Sequence, residues 1–273
     1  MLVNNANITE KKYKKLILQV GQNGMSFCSV DTLNESILTY NEILFDTTDK
    51  TISIEKLYSK AYQEHNDLQA SYDEVIVLHD NNLVTFVPSP LFDENFLGSY
   101  LQYNNKVFET DFFAFDSISS YQMNTVYIPN VTINSFMIEK YGAITYKHSN
   151  TILVSKLLAV SKNVDEKKMF VHLKEDHFEI IVVQNQNLLL YNSFEYKTPE
   201  DLIYFLLFTA EQLNLNPETF KLEFLGKISE HDEFFKIAYQ YIRNVSLFDV
   251  TNLQKHNTFS TADNLKYFIL FQS

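Results

Sequence analysis

Arginine is almost missing from this sequence, with Arg243 the single example among 273 residues. A guanidinium is the side chain that grips phosphate or carboxylate bidentately, so that device has one possible donor in the whole molecule. Cysteine is equally scarce. Cys28 stands alone, which excludes an internal disulfide and gives no sign of an oxidising compartment. Its place in an alternating stretch beside Phe27, with no histidine near it in sequence, suits a packed thiol rather than a nucleophile. Five glycines leave little material for a phosphate-cradling loop, and no P-loop, Gly-x-Ser-x-Gly elbow or Gly-x-Gly-x-x-Gly fingerprint occurs. Tryptophan is absent, so 23 Phe and 17 Tyr supply the aromatic volume.

Long apolar runs are lacking too. The longest, Leu202 to Ala210, is about half of what a membrane span requires. Residues 1–15 hold no apolar core of signal-peptide length, and the charged cluster Glu10-Lys11-Lys12-Tyr13-Lys14-Lys15 leads into the first strand. The expectation is a cytoplasmic protein without a membrane span. A net charge of −12 argues against a nucleic-acid partner, because phosphate neutralisation needs clustered Lys and Arg. Hydrophobic residues at 45% and charged residues at 21% describe an ordinary globular chain, long enough for two compact domains.

What is present is a pattern used twice. Leu16 to Gly21, Met25 to Val30 and Ile37 to Leu44 read as three strands, followed by an amphipathic helix from about Ile52 to His65. Met169 to Lys174, Phe178 to Val183 and Leu188 to Phe194 repeat the order, closed by a helix from Pro199 to Leu213. Placing Tyr40-Asn41 on Tyr191-Asn192 aligns the third strands, with one length change in the second turn. A β-β-β-α unit repeated within one chain implies two related halves.

The first half continues through strands at Glu74 to His79 and Leu83 to Val87, a turn at Asp80-Asn81-Asn82, and a stop at Pro88 and Pro90. Next come a helix from Leu91 to Tyr103, short strands at Asp111 to Asp116 and Thr125 to Ile128, a helix from Val131 to Tyr141 stopped by Gly142, and a strand at Ala143 to Lys147. A helix from Thr151 to Ser161 bridges to the second half, which ends in a strand to Gly226, a helix from Glu230 to Arg243, a strand at Val245 to Val250 and a helix from Thr258 to Phe271. The expected organisation is an N-terminal half at 1–147, a bridging helix and linker at 148–167, and a C-terminal half at 168–273. Strands alternating with helices make the class α/β.

Two β-β-β-α-β-α-type halves with a late strand-Gly-helix-strand-helix ending resemble the duplicated actin-like ATPase fold of the ribonuclease H-like group. More narrowly, the chain is similar to the actin-like assembly proteins of type IV pili and type II secretion, and most of all to a small bacterial family that has this fold and no assigned activity. In active members of that fold an Asp-x-Gly turn follows the first strand of each half, its acid handling metal or water and its amides holding phosphates. Here the first such place reads Gln19-Val20-Gly21, then Gln22-Asn23-Gly24, keeping glycine but not the acid. The second reads His172-Leu173-Lys174, then Glu175-Asp176-His177, with neither, and side chains there obstruct close approach of a phosphate. Where the fold carries Gly-Gly for adenosine, this chain has Gly226-Lys227.

Nuclease chemistry would need carboxylates converging on the first strands, and neither strand contains one. Asp31, Asp46 and Asp116 near strand ends read as turn residues. His172 and His177 straddle the second-half turn and read as ordinary hairpin histidines rather than metal ligands. Phe108, Phe112, Phe113, Phe115 and Tyr121 offer either a local core under a long connection or an aromatic surface for a protein partner. The apolar run Lys266 to Phe271 demands burial. The reading is a degenerate, non-catalytic actin-like protein that serves as a protein-binding or assembly scaffold, with an unknown protein partner or a homodimer and no cofactor or metal. The alternative is a weak ATP-binding switch or ATPase that holds ATP and Mg in a cleft between the halves with Gly21, Gly24, Gly226 and Lys227.

Overall fold

The computed structural model describes residues 11–49, 51–251 and 255–273. The first repeat is β1 (Lys14–Val20), β2 (Gly24–Asp31), β3 (Ser36–Leu44) and α1 (Ile54–Glu64), then a short α2 (Asn66–Gln69) and β4 (Glu74–His79). A middle stretch holds β5 (Val84–Pro88), α3 (Leu97–Leu101), β6 (Ala114–Ile118), β7 (Met123–Tyr127), α4 (Val131–Tyr141), β8 (Thr145–His148) and α5 (Ser149–Val160). The second repeat is β9 (Lys168–Leu173), β10 (His177–Gln184), β11 (Asn187–Glu195), α6 (Pro199–Gln212), β12 (Lys221–Gly226), α7 (Glu233–Tyr241) and β13 (Asn244–Leu247). The chain closes on α8 (Thr261–Lys266) and α9 (Phe268–Phe271).

Two five-stranded sheets share one topology, β3-β2-β1-β4-β8 and β11-β10-β9-β12-β13, and a third sheet is ordered β5-β7-β6. In each large sheet the first strand pairs antiparallel with the second and parallel with the fourth. Central strands buried on both faces need unbroken apolar runs. Leu16, Ile17 and Leu18 in β1 and Met169, Phe170 and Val171 in β9 are fully buried accordingly.

The duplication extends to register. Asn41 lies opposite Phe27, the fourth residue of β2, and Asn192 lies opposite Ile180, the fourth residue of β10. A bulge follows the sixth residue in both strands, between Ser29 and Val30 and between Val182 and Val183. The length change falls where the repeat requires it. Residues 32–35 join β2 to β3, whereas Asn185 and Gln186 alone join β10 to β11. Both have positive φ, 42° and 63°, as a two-residue hairpin matching strand twist demands.

The chain divides into two compact units. The first comprises Met1–His79, Asn130–Tyr146 and Lys255–Asn257, around a core that includes Leu18, Phe27, Tyr58, Val77 and Phe136. The second comprises Asp80–Pro129, Lys147–Gln254 and Thr258–Ser273. It holds one core around Val171, Phe178, Ile180, Leu206 and Phe224, and a smaller one around Val87, Leu101 and Val126 beneath the three-stranded sheet.

Helix boundaries follow local chemistry. At α6, Thr198 and Asp201 form a reciprocal capping box with Pro199 in the first turn. Asn130 caps α4, which ends at Gly142 with φ 77°. The single helix expected over 91–103 is instead two 3₁₀ turns, Ser89–Leu91 and Glu94–Phe96, running into α3. Tyr100 accounts for the interruption, since its hydroxyl donates to the Leu91 carbonyl (2.7 Å), which a continuous helix would use internally, and accepts from Asp93 N (2.8 Å). The helix expected over 258–271 starts later, where Ser260 caps Asp263 N, and breaks at Tyr267. Phe268 to Phe271 are buried, as their composition requires.

Candidate functional site

The turn after the first strand of each repeat is the place to look for ligand chemistry. In the first lobe, Gly21 N donates to Gly24 O (3.0 Å), and the buried Tyr58 of α1 donates its hydroxyl to Gly21 O (2.8 Å). Neither glycine has positive φ. Gly24 is demanded by packing, because a Cβ there would stand 2.5 Å from the Ile43 carbonyl oxygen of β3. Gln22 and Asn23 between them are exposed.

The second lobe builds the same turn from bulkier residues. Lys174 N donates to His177 O (3.0 Å), and a tyrosine again secures the first carbonyl: Tyr196, which follows β11, donates to Lys174 O (2.6 Å). Lys174 does not project from this turn to obstruct its approach. Its side chain folds inward, and Nζ lies 2.6 Å from Asp80 Oδ1 and 2.8 Å from Glu179 Oε1.

Glu179 is the hub of this buried network, at 1% exposure. It accepts from Lys174, meets His172 Nδ1 at 2.9 Å, lies 3.5 Å from His177 Nε2 and accepts from Asn150 Nδ2 (3.2 Å). Burial works to raise its pKa, and Lys174 and His172 outweigh burial and hold the carboxyl well below its usual range. Burial likewise opposes the Lys174 charge, and Asp80 and Glu179 outweigh it, so Lys174 stays an ammonium. For His177, burial pulls the pKa down but the Glu179 carboxylate prevails and raises it. Burial and the nearby Glu179 charge push the Tyr191 hydroxyl well above its ordinary range, so it stays protonated beside Asn150, whose amide donates to it (2.6 Å).

The N-terminus of α5 ties this cluster down. Ser149 Oγ donates to Asp80 Oδ1 (3.0 Å), and Asn150 N donates to His148 Nδ1 (3.1 Å). Asp116, read from sequence as a turn residue, is instead buried in β6. Its carboxylate accepts from His148 N (2.8 Å), Thr151 Oγ1 (2.6 Å) and Tyr127 hydroxyl (3.1 Å), so it anchors the start of α5, where negative charge suits the helix dipole. Those contacts also explain why α5 begins at Ser149 rather than Thr151. Asp31 and Asp46 are turn residues, accepting from Leu33 N and from Thr48 N and Oγ1.

At the end of β12, Gly226 has φ 91°, and a Cβ there would stand 2.2 Å from the Leu173 carbonyl oxygen. Strand packing in the second sheet therefore requires this glycine. The position with the same register in the first sheet, opposite Val20, carries His79. Lys227 N donates to Leu173 O (2.9 Å), and its half-exposed ammonium pairs with Glu175 (2.5 Å), clamping β12 to the β9–β10 turn. His172 and His177 both approach Glu179, through Nδ1 at 2.9 Å and Nε2 at 3.5 Å. Among the described residues no group of three or more His, Cys, Asp or Glu side chains is arranged to hold a metal ion. The aromatic set divides: Phe113 and Phe115 pack on the small core, while Phe108 and Phe112 are exposed.

Sequence reasoning singled out Lys174 and the two histidines but missed Asp80, Asn150, Glu179 and Tyr191. One signal was available. Glu179 is a lone acid inside the apolar strand Phe178 to Val183, and a buried charge must be paired.

The residues from 3 to 245 match the sequence model of one family, DUF3822, described as a protein of unknown function. The chain belongs to the DUF3822 family. No curated protein matches the sequence. Among solved structures, a Bacteroides thetaiotaomicron protein with an actin-like ATPase fold and unknown function matches 98% of this DUF3822 chain and 99% of its own, at 22% identity and a TM-score of 0.82. A chain of the PilM-PilN type IV pilus biogenesis complex matches 94% of this chain and 95% of its own, at 11% identity and a TM-score of 0.59. This DUF3822 protein therefore has the duplicated α/β actin-like ATPase fold, shared at greater distance with the pilus-assembly relative. No helix among its described residues is long and apolar enough to cross a membrane.

Proposed function

We propose that this DUF3822 protein is a non-catalytic actin-like protein that acts as a protein-binding or assembly scaffold. The observation that carries the reading is Lys174, half-buried between Asp80 and Glu179 on the turn where an active relative would present amides to phosphate. A permanent internal ammonium neutralises the carboxylates that a divalent cation would need. The turn's own amide is also engaged, since Lys174 N is bonded to His177 O. ATP and magnesium do not fit this second-lobe turn, and the need for glycine at Gly226 is accounted for by the Leu173 carbonyl rather than by an adenosine. The likeness in fold to a chain of a PilM-PilN complex supports a protein partner as the thing bound. A cytoplasmic location, with another protein or a second copy as partner, belongs to the same reading.

Thermal melting with and without millimolar ATP and magnesium tests it. A ligand at about one hundred times its dissociation constant adds ~2.7 kcal/mol, enough to raise the midpoint by several degrees. The expected result is no shift. A shift of that size overturns the proposal in favour of a nucleotide switch using Gly21, Gly24, Gly226 and Lys227. Lys227→Ala is the variant to carry alongside, because replacing Gly226 would damage the strand packing itself.

A further inference from the structure

Helix α6 exposes a stripe that its own repeat partner does not. Glu200, Tyr204, Phe208 and Glu211 are all solvent-exposed and recur at spacings of four, four and three, which places them along one face of the helix. Tyr204 is 63% and Phe208 47% exposed. Their rings stack 6.2 Å apart at 14°, and Phe205 meets Tyr204 edge-on at 5.2 Å, so the pair is held in place before any partner arrives. The opposite face, with Leu202, Ile203, Leu206 and Ala210, is buried in the core.

The duplication supplies an internal control. Helix α1 occupies the same place in the first repeat, and its exposed residues are Glu55, Lys56, Lys60, Gln63 and Glu64, an ordinary solvated face with a Lys60–Glu64 pair. The fold therefore does not require aromatic rings on the outside of this helix. Charge differs as well. α1 balances two acids with two lysines, whereas α6 carries Glu200, Asp201 and Glu211 and no cation. Of the lysines at its ends, Lys197 acts on Asp201, and Lys167 is bound to the Leu213 carbonyl (2.9 Å).

We propose that the outer stripe of α6 is a docking surface for a basic helical segment of a partner protein, whose apolar face covers Tyr204 and Phe208 while its lysines or arginines meet Glu200 and Glu211. This rests on the scaffold reading and names the surface it uses. Stacked aromatics give the anchor typical of binding hot spots, and the flanking carboxylates select a cationic partner over an anionic one.

The test is fluorescence anisotropy of the full chain with a labelled amphipathic peptide that has leucines on one face and lysines on the other, against the same peptide with glutamates for lysines. The lysine peptide should bind at least ~10-fold tighter than the glutamate peptide, with affinity falling as salt is raised. Tyr204→Ser with Phe208→Ser should weaken binding by ~10-fold or more, and so should Glu200→Lys with Glu211→Lys, which leaves both rings intact. Absence of binding, equal binding of both peptides, or indifference to both double variants overturns the proposal. Sedimentation decides one further outcome: a wild-type dimer that Tyr204→Ser with Phe208→Ser converts to monomer makes the occupant a second copy and overturns it too. A failed titration with no ATP-induced melting shift removes this surface only. An ATP-induced shift with intact peptide binding removes the scaffold reading only.

Discussion

Lys174 and Glu179 form an ion pair at 2.8 Å, with the glutamate side chain 1% and the lysine side chain 13% exposed. A buried pair of this kind gains little over a well-packed apolar substitute, but breaking it by removing one partner strands the other charge.

Lys174→Met should therefore destabilise the protein by ~3–5 kcal/mol, since it leaves Glu179 and Asp80 without their shared cation. Adding Glu179→Gln and Asp80→Asn to Lys174→Met should recover much of that loss. Urea midpoints at neutral pH measure both. A single-variant cost below ~1 kcal/mol would show that the carboxylates find another counter-charge.

His79 should impose a pH dependence on the first unit. Asn130 N donates to its Nδ1 (3.3 Å), and its Nε2 meets Asn134 Oδ1 (2.9 Å), an arrangement suited to the neutral ring. Burial lowers its pKa to about 4, against a partial restoring effect of Asn134. The folded pKa lies below the unfolded value near 6.5, so stability is full above 6.5 and is lost as pH falls toward 4. Between pH 7 and 5 the loss is ~2 kcal/mol, and His79→Gln should remove that slope from the unfolding midpoint.

Glu179 acts in the same direction at lower pH. Its depressed pKa contributes stability that is present above its ordinary value of 4.5 and is lost as pH falls below it. A Glu179→Gln protein should show a shallower decline in melting temperature from pH 4.5 downward than the parent. Identical acid limbs would mean that Glu179 is not the group being titrated.

Two glycines should respond differently to alanine. Gly142 has φ 77° and ψ −80° with nothing within 4 Å of a Cβ, so Gly142→Ala carries only backbone strain of ~1–3 kcal/mol. Gly226→Ala carries that strain and a collision with the Leu173 carbonyl oxygen, and should cost ~1–3 kcal/mol more. Equal melting temperatures for the two variants would contradict the packing account.

The lone thiol should be silent in the native protein. Cys28 is fully buried in β2, and burial pushes its pKa up to about 12, so both access and thiolate character are denied. Ellman's reagent should react with it only as fast as the first unit opens, and fully in denaturant. Rapid native labelling would contradict its burial.

Much of the fold was legible because the repeat is written in local patterns. The strands from Leu16 to Leu44 and from Met169 to Phe194 have apolar periodicity strong enough to mark, and Tyr40-Asn41 with Tyr191-Asn192 fall at equivalent register positions. Segment 91–103 was misread as one helix because the hydroxyl of Tyr100, nine residues from Leu91, competes for the backbone groups there. The site was less legible. Asp80 and Glu179 are 99 residues apart in sequence, and Lys174 joins them only once β9, β10 and the start of α5 are assembled. Asp116 could not be told from Asp31 or Asp46 by its neighbours, since all three read as lying near strand ends, whereas Asp116 is the middle residue of β6. Burial alone separates them.

By itself the sequence determined the α/β class, the duplication and the poverty of phosphate-binding residues, because hydrophobic period and the presence or absence of a side chain are properties of short stretches. Only the tertiary structure decided that Lys174 turns inward to neutralise two carboxylates, that the Leu173 carbonyl leaves no room for a side chain at Gly226, and that Tyr204 and Phe208 remain exposed. Each of these depends on which distant segment arrives within a few ångströms, and a charge or an aromatic ring carries no local mark of the partner that will meet it.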